Sequence, residues 1–212
     1  MLRLYDYWRS SAAYRVRIAL NLKELNYDSV AIDLARGEHA DASHARRNPQ
    51  GLVPVLEHDG RHLTQSLAII EYLEEMFPPR RLLPADPVDV ARVRAMAQLI
   101  ACDIHPLNNL RVLKYLVDPL GAGEQEKRAW YHHWVATGFS AFEKMLEDPR
   151  AGDFCHGDQP GLADVCLIPQ VYNARRFECD LDAYPRIRAV EAACLALDAF
   201  TDASPERQAD AS

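Results

Sequence analysis

Residues 53–64 read VPVLEHDGRHLT. Two strand-like runs, Val53–Leu56 and Arg61–Thr64, flank His58-Asp59-Gly60. Asp-Gly in that position predicts a tight antiparallel hairpin, because both residues tolerate the positive φ angles that such a turn needs. Working upstream, Leu2–Tyr7 alternates as a short strand. Ser10 or Ser11 then caps a helix running to about Lys23, with Ala12, Val16, Ala19 and Leu20 on one face. Val30, Ile32 and Leu34 alternate with Ala31 and Asp33, which predicts a second strand. Residues 35–48 are polar and mixed, the pattern of a short helix within a loop. Downstream, Ser66 caps a helix whose inner face is Ile69, Ile70, Leu73 and Phe77. The order β-α-β-(α)-β-β-α over residues 1–79 describes a small α/β unit with a mixed sheet.

The segment 78–87, PPRRLLPADP, contains Pro78, Pro79, Pro84 and Pro87 and cannot continue a helix. We read residues 80–86 as a linker and 87–212 as a second, all-helical domain. Val93, Met96, Ala97, Ile100 and Ile104 keep helical spacing up to Pro106, where loss of the donor to the Cys102 carbonyl predicts a kink. Further helices are predicted over 124–146, 162–177 and 185–199. The polar tail 201–212 is expected to fray.

The 212 residues suffice for a core without covalent staples. A net charge of −7 argues against nucleic-acid or anionic-membrane partners. The five cysteines are scattered, with no C-x-x-C pair, so neither a zinc site nor a redox dithiol is expected. Unpaired thiols, no apolar leader and no bilayer-length apolar stretch give a cytoplasmic expectation.

Three places could carry chemistry. At Trp8-Arg9-Ser10-Ser11 a strand ends and a helix begins, so open backbone N–H groups and the positive helix end converge, a setting that stabilises an anion. A serine hydroxyl there can donate to a bound thiolate, although a serine at a helix start is also an ordinary cap. At Asn48-Pro49-Gln50-Gly51-Leu52-Val53-Pro54, a cis bond before Pro54 would turn the Val53 backbone towards an extended peptide. Gln65-Ser66 opens the next helix, where a hydroxyl and open N–H groups suit a carboxylate. Each is weak singly, but all three fall at one edge of one small unit.

With those motifs in view, the chain resembles the zeta-class glutathione transferases. Ser10-Ser11-Ala12-Ala13-Tyr14-Arg15-Val16-Arg17-Ile18-Ala19-Leu20 is similar to the family pattern SSCxWRVRIAL. So are Asn48-Pro49 with Val53-Pro54, Gln65-Ser66 followed by 67–73, and in the helical half 103–113 and 169–177. The chain departs from the pattern at Ala12 and Tyr14, where the family has Cys and Trp, which leaves the serines to activate a thiol. Gly161 stands where the family has a Ser/Thr cap, and Asp164 is left to anchor that helix.

The resemblance implies a thioredoxin-like α/β domain followed by an all-α domain, with glutathione as cofactor. It implies a site of Ser10, Ser11, Arg15, His39, Val53, Gln65 and Ser66, joined across the domain boundary by His105, Asn109, Leu110 and Arg111. Ser10, Ser11 and Arg9 are the expected catalytic residues. Arg9, Arg111 and Arg176 are the cations expected on a diketo-acid substrate. The implied activity is glutathione-dependent cis–trans isomerisation of maleylacetoacetate to fumarylacetoacetate in tyrosine catabolism, by a homodimer. Three competing readings remain: isomerisation of maleylpyruvate, general conjugation or α-haloacid dehalogenation, and a non-catalytic binding module of the same fold.

Overall fold

The computed structural model describes residues Met1 to Ala211. By its internal contacts the chain divides into two compact units. One comprises Met1–Leu82 with the chain from Leu195 onward, and the other Leu83–Cys194.

The first unit is built on strands β1 (Leu2–Asp6), β2 (Tyr27–Ala31), β3 (Val55–His58) and β4 (Arg61–Thr64), in the spatial order β2-β1-β3-β4. β1 runs parallel to β2 and antiparallel to β3, and β3 pairs antiparallel with β4. β1 is central, so it is buried along nearly its whole length. Tyr5, Ile32, Val53 and Val55 form a buried cluster, against which Tyr7, Val30 and Leu34 pack. The hairpin between β3 and β4 turns on Asp59 (φ 50°) and Gly60 (φ 76°), as Asp-Gly predicts.

The second strand differs from its expectation by three residues. Its pairing runs from Leu2↔Tyr27 to Asp6↔Ala31, and Ile32 N–H makes the last bond, to the Asp6 carbonyl at 2.7 Å. Beyond that point the pairing ends, and Leu34 packs against the buried cluster from outside the strand.

Helix α1 (Ser11–Leu22) is buried almost all round and carries Arg15 and Arg17 inward among Ala13, Val16, Ile18, Ala19 and Leu20. A short 3-10 turn (Glu38–Ala40) and helix α2 (Ala42–Arg47) occupy the expected helical loop. Helix α3 (Ser66–Met76) packs beside α1 and buries Ile69, Ile70 and Leu73. Phe77 is only half-buried and lies one residue past its end.

The second unit is helical. Helix α4 (Pro87–Gln98) starts at Asp86, whose side chain accepts from the Val88 and Asp89 N–H groups. It leads into a π-helical segment, Leu99–Ile104, then α5 (Leu110–Val117), α6 (Glu124–Met145), α7 (Leu162–Arg176) and α8 (Pro185–Leu195). The interruption expected ahead of Pro106 takes the form of a π-helical stretch. The helix widens to π geometry before the proline, with His105 N–H bonded to the Ile100 carbonyl at 3.0 Å, and then ends in turns. A π turn sets each donor on the carbonyl five residues back, so the helix is already closing when it meets a residue without a donor. α7 starts as expected at Asp164, whose two carboxylate oxygens accept from Cys155 N–H (2.8 Å) and Gly161 N–H (2.9 Å).

The tail does not fray. α8 ends at Leu195, and a short helix, α9 (Asp198–Thr201), and a 3-10 turn (Pro205–Arg207) follow. Phe200, Ala203 and Pro205 are buried. Tyr14 Oη donates to the Phe200 carbonyl at 3.2 Å, and Asn21 Nδ2 to the Ala199 carbonyl at 3.1 Å. Buried partners on α1 hold a segment whose polarity alone predicts freedom. Ser212, the end of the tail, lies outside the described residues.

Candidate active site

The turn from β1 into α1 is closed by Ser10 N–H on the Tyr7 carbonyl at 2.8 Å, which leaves Trp8 and Arg9 at its corner. Ser10 has extended backbone (φ −69°, ψ 115°) and caps α1, its Oγ accepting from Ala13 N–H at 3.2 Å. That bond uses a lone pair, so the hydroxyl proton stays available to an acceptor outside the helix. Ser11 is the first helical residue and is buried, while Ser10 is half-exposed. The sequence left the cap open between the two serines, and Ser10 takes it. Arg9 is exposed, with its guanidinium 4.5 Å from the Trp8 ring centre and Nη2 donating to Tyr7 Oη at 3.3 Å. A cation and an anion-stabilising helix start therefore share one turn.

Arg15 points from α1 to the start of α3. Its Nη1 donates to Ser66 Oγ at 3.2 Å, and Arg15 is only 1% exposed. With so little surface of its own, Arg15 acts on this edge through Ser66. Gln65, not Ser66, holds the N-cap position of α3, and its backbone is unusual (φ 70°, ψ 116°) for a residue with a side chain. Such a conformation costs on the order of 1–3 kcal/mol and concentrates at functional positions. The Gln65 amide donates to Gln50 Oε1 at 2.8 Å, tying α3 to the loop before β3.

That loop is fixed from within. The Leu52 carbonyl accepts from Asn48 Nδ2 at 2.8 Å and lies 3.0 Å from His44 Nε2, and Gln50 N–H donates to Asn48 Oδ1 at 3.0 Å. The Val53–Pro54 bond is cis. At Gly51 (φ 63°) a Cβ would come 3.2 Å from the His39 carbonyl, so the loop closes on His39. His39 Nδ1 is buried without a hydrogen-bond partner among the described residues. The first unit thus ties together the three segments singled out in the sequence: Ser10-Ser11 with Arg15, residues 48–54, and Gln65-Ser66.

The other expected residues belong to the helical unit. Asn109 caps α5, its Oδ1 accepting from Arg111 N–H at 3.2 Å, and its Nδ2 lies 3.4 Å from His105 Nε2. Leu110 and Arg111 are exposed on the first turn of α5, a helix the sequence reading missed. Arg176 ends α7 exposed, its guanidinium 4.9 Å from the Phe177 ring centre.

Sequence reasoning also missed Gln50, His44 and the buried pair Asp6–Arg17, whose Nη1 donates to both Asp6 oxygens at 2.9 and 2.7 Å. The signal was present: two arginines two residues apart in an otherwise apolar helix must each find an internal partner. Among the described residues no group of three or more His, Cys, Asp or Glu converges as metal ligands would.

The donor set suits a tripeptide thiol with anionic ends. It offers a helix start for a thiolate, a second helix start for a carboxylate, and an unpartnered imidazole nitrogen beside the loop. Comparison with known proteins agrees with that class. The family models for the glutathione S-transferase N-terminal and C-terminal domains match residues 1–75 and 128–193. The chain belongs to the glutathione S-transferase family.

Among relatives, it is 54% identical over 204 residues to maleylacetoacetate isomerase of Rhizobium meliloti (strain 1021), covering 96% of both chains. It is 50% identical over 210 residues to maleylpyruvate isomerase of Ralstonia sp, covering 99% of both. Among solved structures, a holo maleylpyruvate isomerase described as a bacterial zeta-class glutathione transferase matches with a TM-score of 0.97 at 49% identity, covering 99% of this chain and 100% of that one. A maleylacetoacetate isomerase from Anaeromyxobacter dehalogenans 2CP-1 with bound glutathione matches with a TM-score of 0.90 at 48% identity, covering 100% and 98%.

Proposed function

We propose that the protein is a glutathione-dependent cis–trans isomerase that converts maleylacetoacetate to fumarylacetoacetate. The observation that carries this reading is the single turn presenting Ser10, capped on α1 with its hydroxyl proton still available, beside the exposed Arg9. Relatives at about half identity over nearly the whole chain, with isomerase activities in their names, support the reaction class.

Bound glutathione supplies a thiolate that adds reversibly to the cis double bond beside the ketone and is released unchanged once that bond has turned. A free thiol with a pKa near ~8.5 is mostly protonated at neutral pH, so the residues here must favour its anion. The Ser10 hydroxyl donates towards the sulfur charge, with Ser11 beside it and the open N–H groups of α1 adding their field. Ser66, supported by Arg15, and Gln65 take the γ-glutamyl carboxylate at the start of α3. The Val53 backbone pairs with the peptide, and His39 gives its unpartnered nitrogen. We assign His105, Asn109, Leu110 and Arg111 to glutathione as well.

The negative charge that the addition pushes onto the substrate oxygens is met by arginine. Arg9, Arg111 and Arg176 are assigned to the two ends of the diacid, where stabilisation of the developing charge exceeds that of the resting substrate. The exposed Arg9 guanidinium on the turn that carries Ser10 favours an anionic electrophile over an apolar one. In this division of labour Met1–Leu82 with the chain from Leu195 onward carries glutathione, and Leu83–Cys194 contributes to the substrate, so the expected second domain over 87–212 gives up its C-terminal end to the first unit. A cytoplasmic homodimer serving aromatic amino-acid breakdown completes the proposal.

Maleylpyruvate is the second substrate to weigh, because a relative acting on it is 50% identical. The reading is tested by counting thiol during turnover. Isomerised maleylacetone with total glutathione unchanged supports it. Stoichiometric thiol loss with chlorinated acids or aryl halides, and no isomerisation, replaces it with a conjugating transferase.

A further inference from the structure

The last residues of the chain are bonded to the turn that presents Arg9 and Ser10. Trp8 N–H donates to Asp210 Oδ2 at 3.1 Å. On the other side of the same residue, the Trp8 carbonyl accepts from Arg17 Nη2 at 3.0 Å. Arg17 is fully buried; its Nε donates to the Ala203 carbonyl at 2.9 Å and its Nη1 to Asp6 at the end of β1. The tail that supplies Ala203 and Asp210 is anchored in turn, with Gln208 Nε2 donating to the Ser204 carbonyl at 2.8 Å and the Asp202 carbonyl at 3.0 Å.

Both peptide groups of Trp8 are therefore held, one by the tail directly and one by an arginine that the tail helps to fix. Trp8 is also the platform for the Arg9 guanidinium, and Ser10 closes the turn two residues later. A turn of four residues has few torsions left once its corner residue is bonded on both sides.

We propose that Asp210 is a positioning residue: by accepting the Trp8 N–H it holds the turn so that Arg9 and Ser10 face the substrate and the thiolate. The proposal rests on the isomerase reading for its catalytic consequence, but the hold on the turn is independent of it. Charge–acceptor bonds to a backbone N–H are stronger than neutral ones, and a misplacement of about 1 Å at a reacting group can cost up to ~100-fold in rate. The tail lies outside every motif from which the site was read, and its role follows only from these bonds.

The test compares Asp210→Ala and Asp210→Asn with wild type, all with glutathione bound. Asparagine keeps an acceptor oxygen and alanine does not. Amide hydrogen exchange of the peptide spanning Tyr7–Ser11 is expected to speed up in D210A and to stay near wild type in D210N. With maleylacetone, kcat/KM is expected to fall about tenfold in D210A and less than about threefold in D210N. The KM for glutathione should move by less than about twofold, because Ser66, Gln65 and the loop at 48–54 do not depend on Trp8.

Unchanged exchange in D210A overturns the proposal, whatever the rates do. Faster exchange with an unchanged kcat/KM also overturns it. So does a loss of activity that merely follows a lower melting temperature, and that D210N shares. If wild type itself fails to isomerise maleylacetone, the functional reading falls, and the exchange comparison still decides whether Asp210 holds the turn.

Discussion

Arg15 Nη1 lies 3.2 Å from Ser66 Oγ, and both residues are buried. One bond thus joins the interior of α1 to the first residue of α3, the end of the site to which we assign the γ-glutamyl carboxylate. Replacing Arg15 by Ala removes a buried donor and leaves a cavity beside α3, so we expect a loss of about 2–4 kcal/mol of stability in chemical denaturation. Ser66→Ala should cost less stability, because alanine fits the helix, but weaken glutathione binding about tenfold by titration calorimetry. Unchanged affinity in S66A would place the carboxylate elsewhere.

Ser10 has two separable duties. As cap of α1 it should contribute about 1 kcal/mol, lost in Ser10→Ala and visible as a lower unfolding midpoint. As donor to the thiolate it should govern turnover. Ser10→Ala is expected to lower kcat sharply while the KM for glutathione changes little, the pattern of an interaction made to the reacting atom and not to the tripeptide as a whole. Equal turnover in S10A and wild type would remove Ser10 from the mechanism.

In the helical unit, a Cβ on Gly138 would come within 2.2 Å of Ile104 Cδ1 and 2.3 Å of Ile104 Cγ1. The π-helical segment is packed on α6 through this missing side chain. Gly138→Ala is therefore expected to destabilise by about 1–3 kcal/mol despite the better helix propensity of alanine. Ile104→Ala in the same chain should recover part of the loss, a coupling that a double-mutant cycle in denaturant would measure. Additive effects would mean the two residues do not meet.

Burial pushes the Cys179 thiol up from its ordinary value of 9 to about 11, with nearby Arg128 opposing the shift. The unfolded thiol loses its proton first as pH rises, so the Cys179 contribution to stability should fall from about pH 9 and level off beyond about 11, while the more deeply buried Cys155 and Cys194 thiols, raised further, continue the decline. Thermal unfolding across that range should show the slope, and Cys179→Ala should reduce it. In alkylation at pH 8 the exposed Cys102 is expected to react well ahead of Cys179 and of the buried Cys155, Cys166 and Cys194.

Where local chemistry decides an element, the sequence was a sufficient guide. Asp59-Gly60 specified the hairpin, α3 ended at Met76 just ahead of the proline run, and Asp164 anchored α7 without the usual hydroxyl cap. The three segments of the proposed thiol site could be singled out in the sequence because each sits at a strand end or helix start, and the structure ties them to one another. What escaped was set by tertiary contacts. β2 took its register from β1, the fate of α4 was decided in a π turn ahead of Pro106, and the polar tail was ordered by the Ala203 carbonyl facing Arg17, just after Ala199 and Phe200 are held by Asn21 and Tyr14. Polarity is a guide to disorder only for a segment without buried partners, and those partners lie some 180 residues away in the chain.

The most direct measurement is the ultraviolet spectrum of maleylacetone mixed with the protein, recorded before and after glutathione is added. The account predicts no change without glutathione, then rapid and complete conversion to the trans isomer at catalytic thiol concentrations, with the thiol recovered in full. Conversion without glutathione, or none with it, contradicts the account.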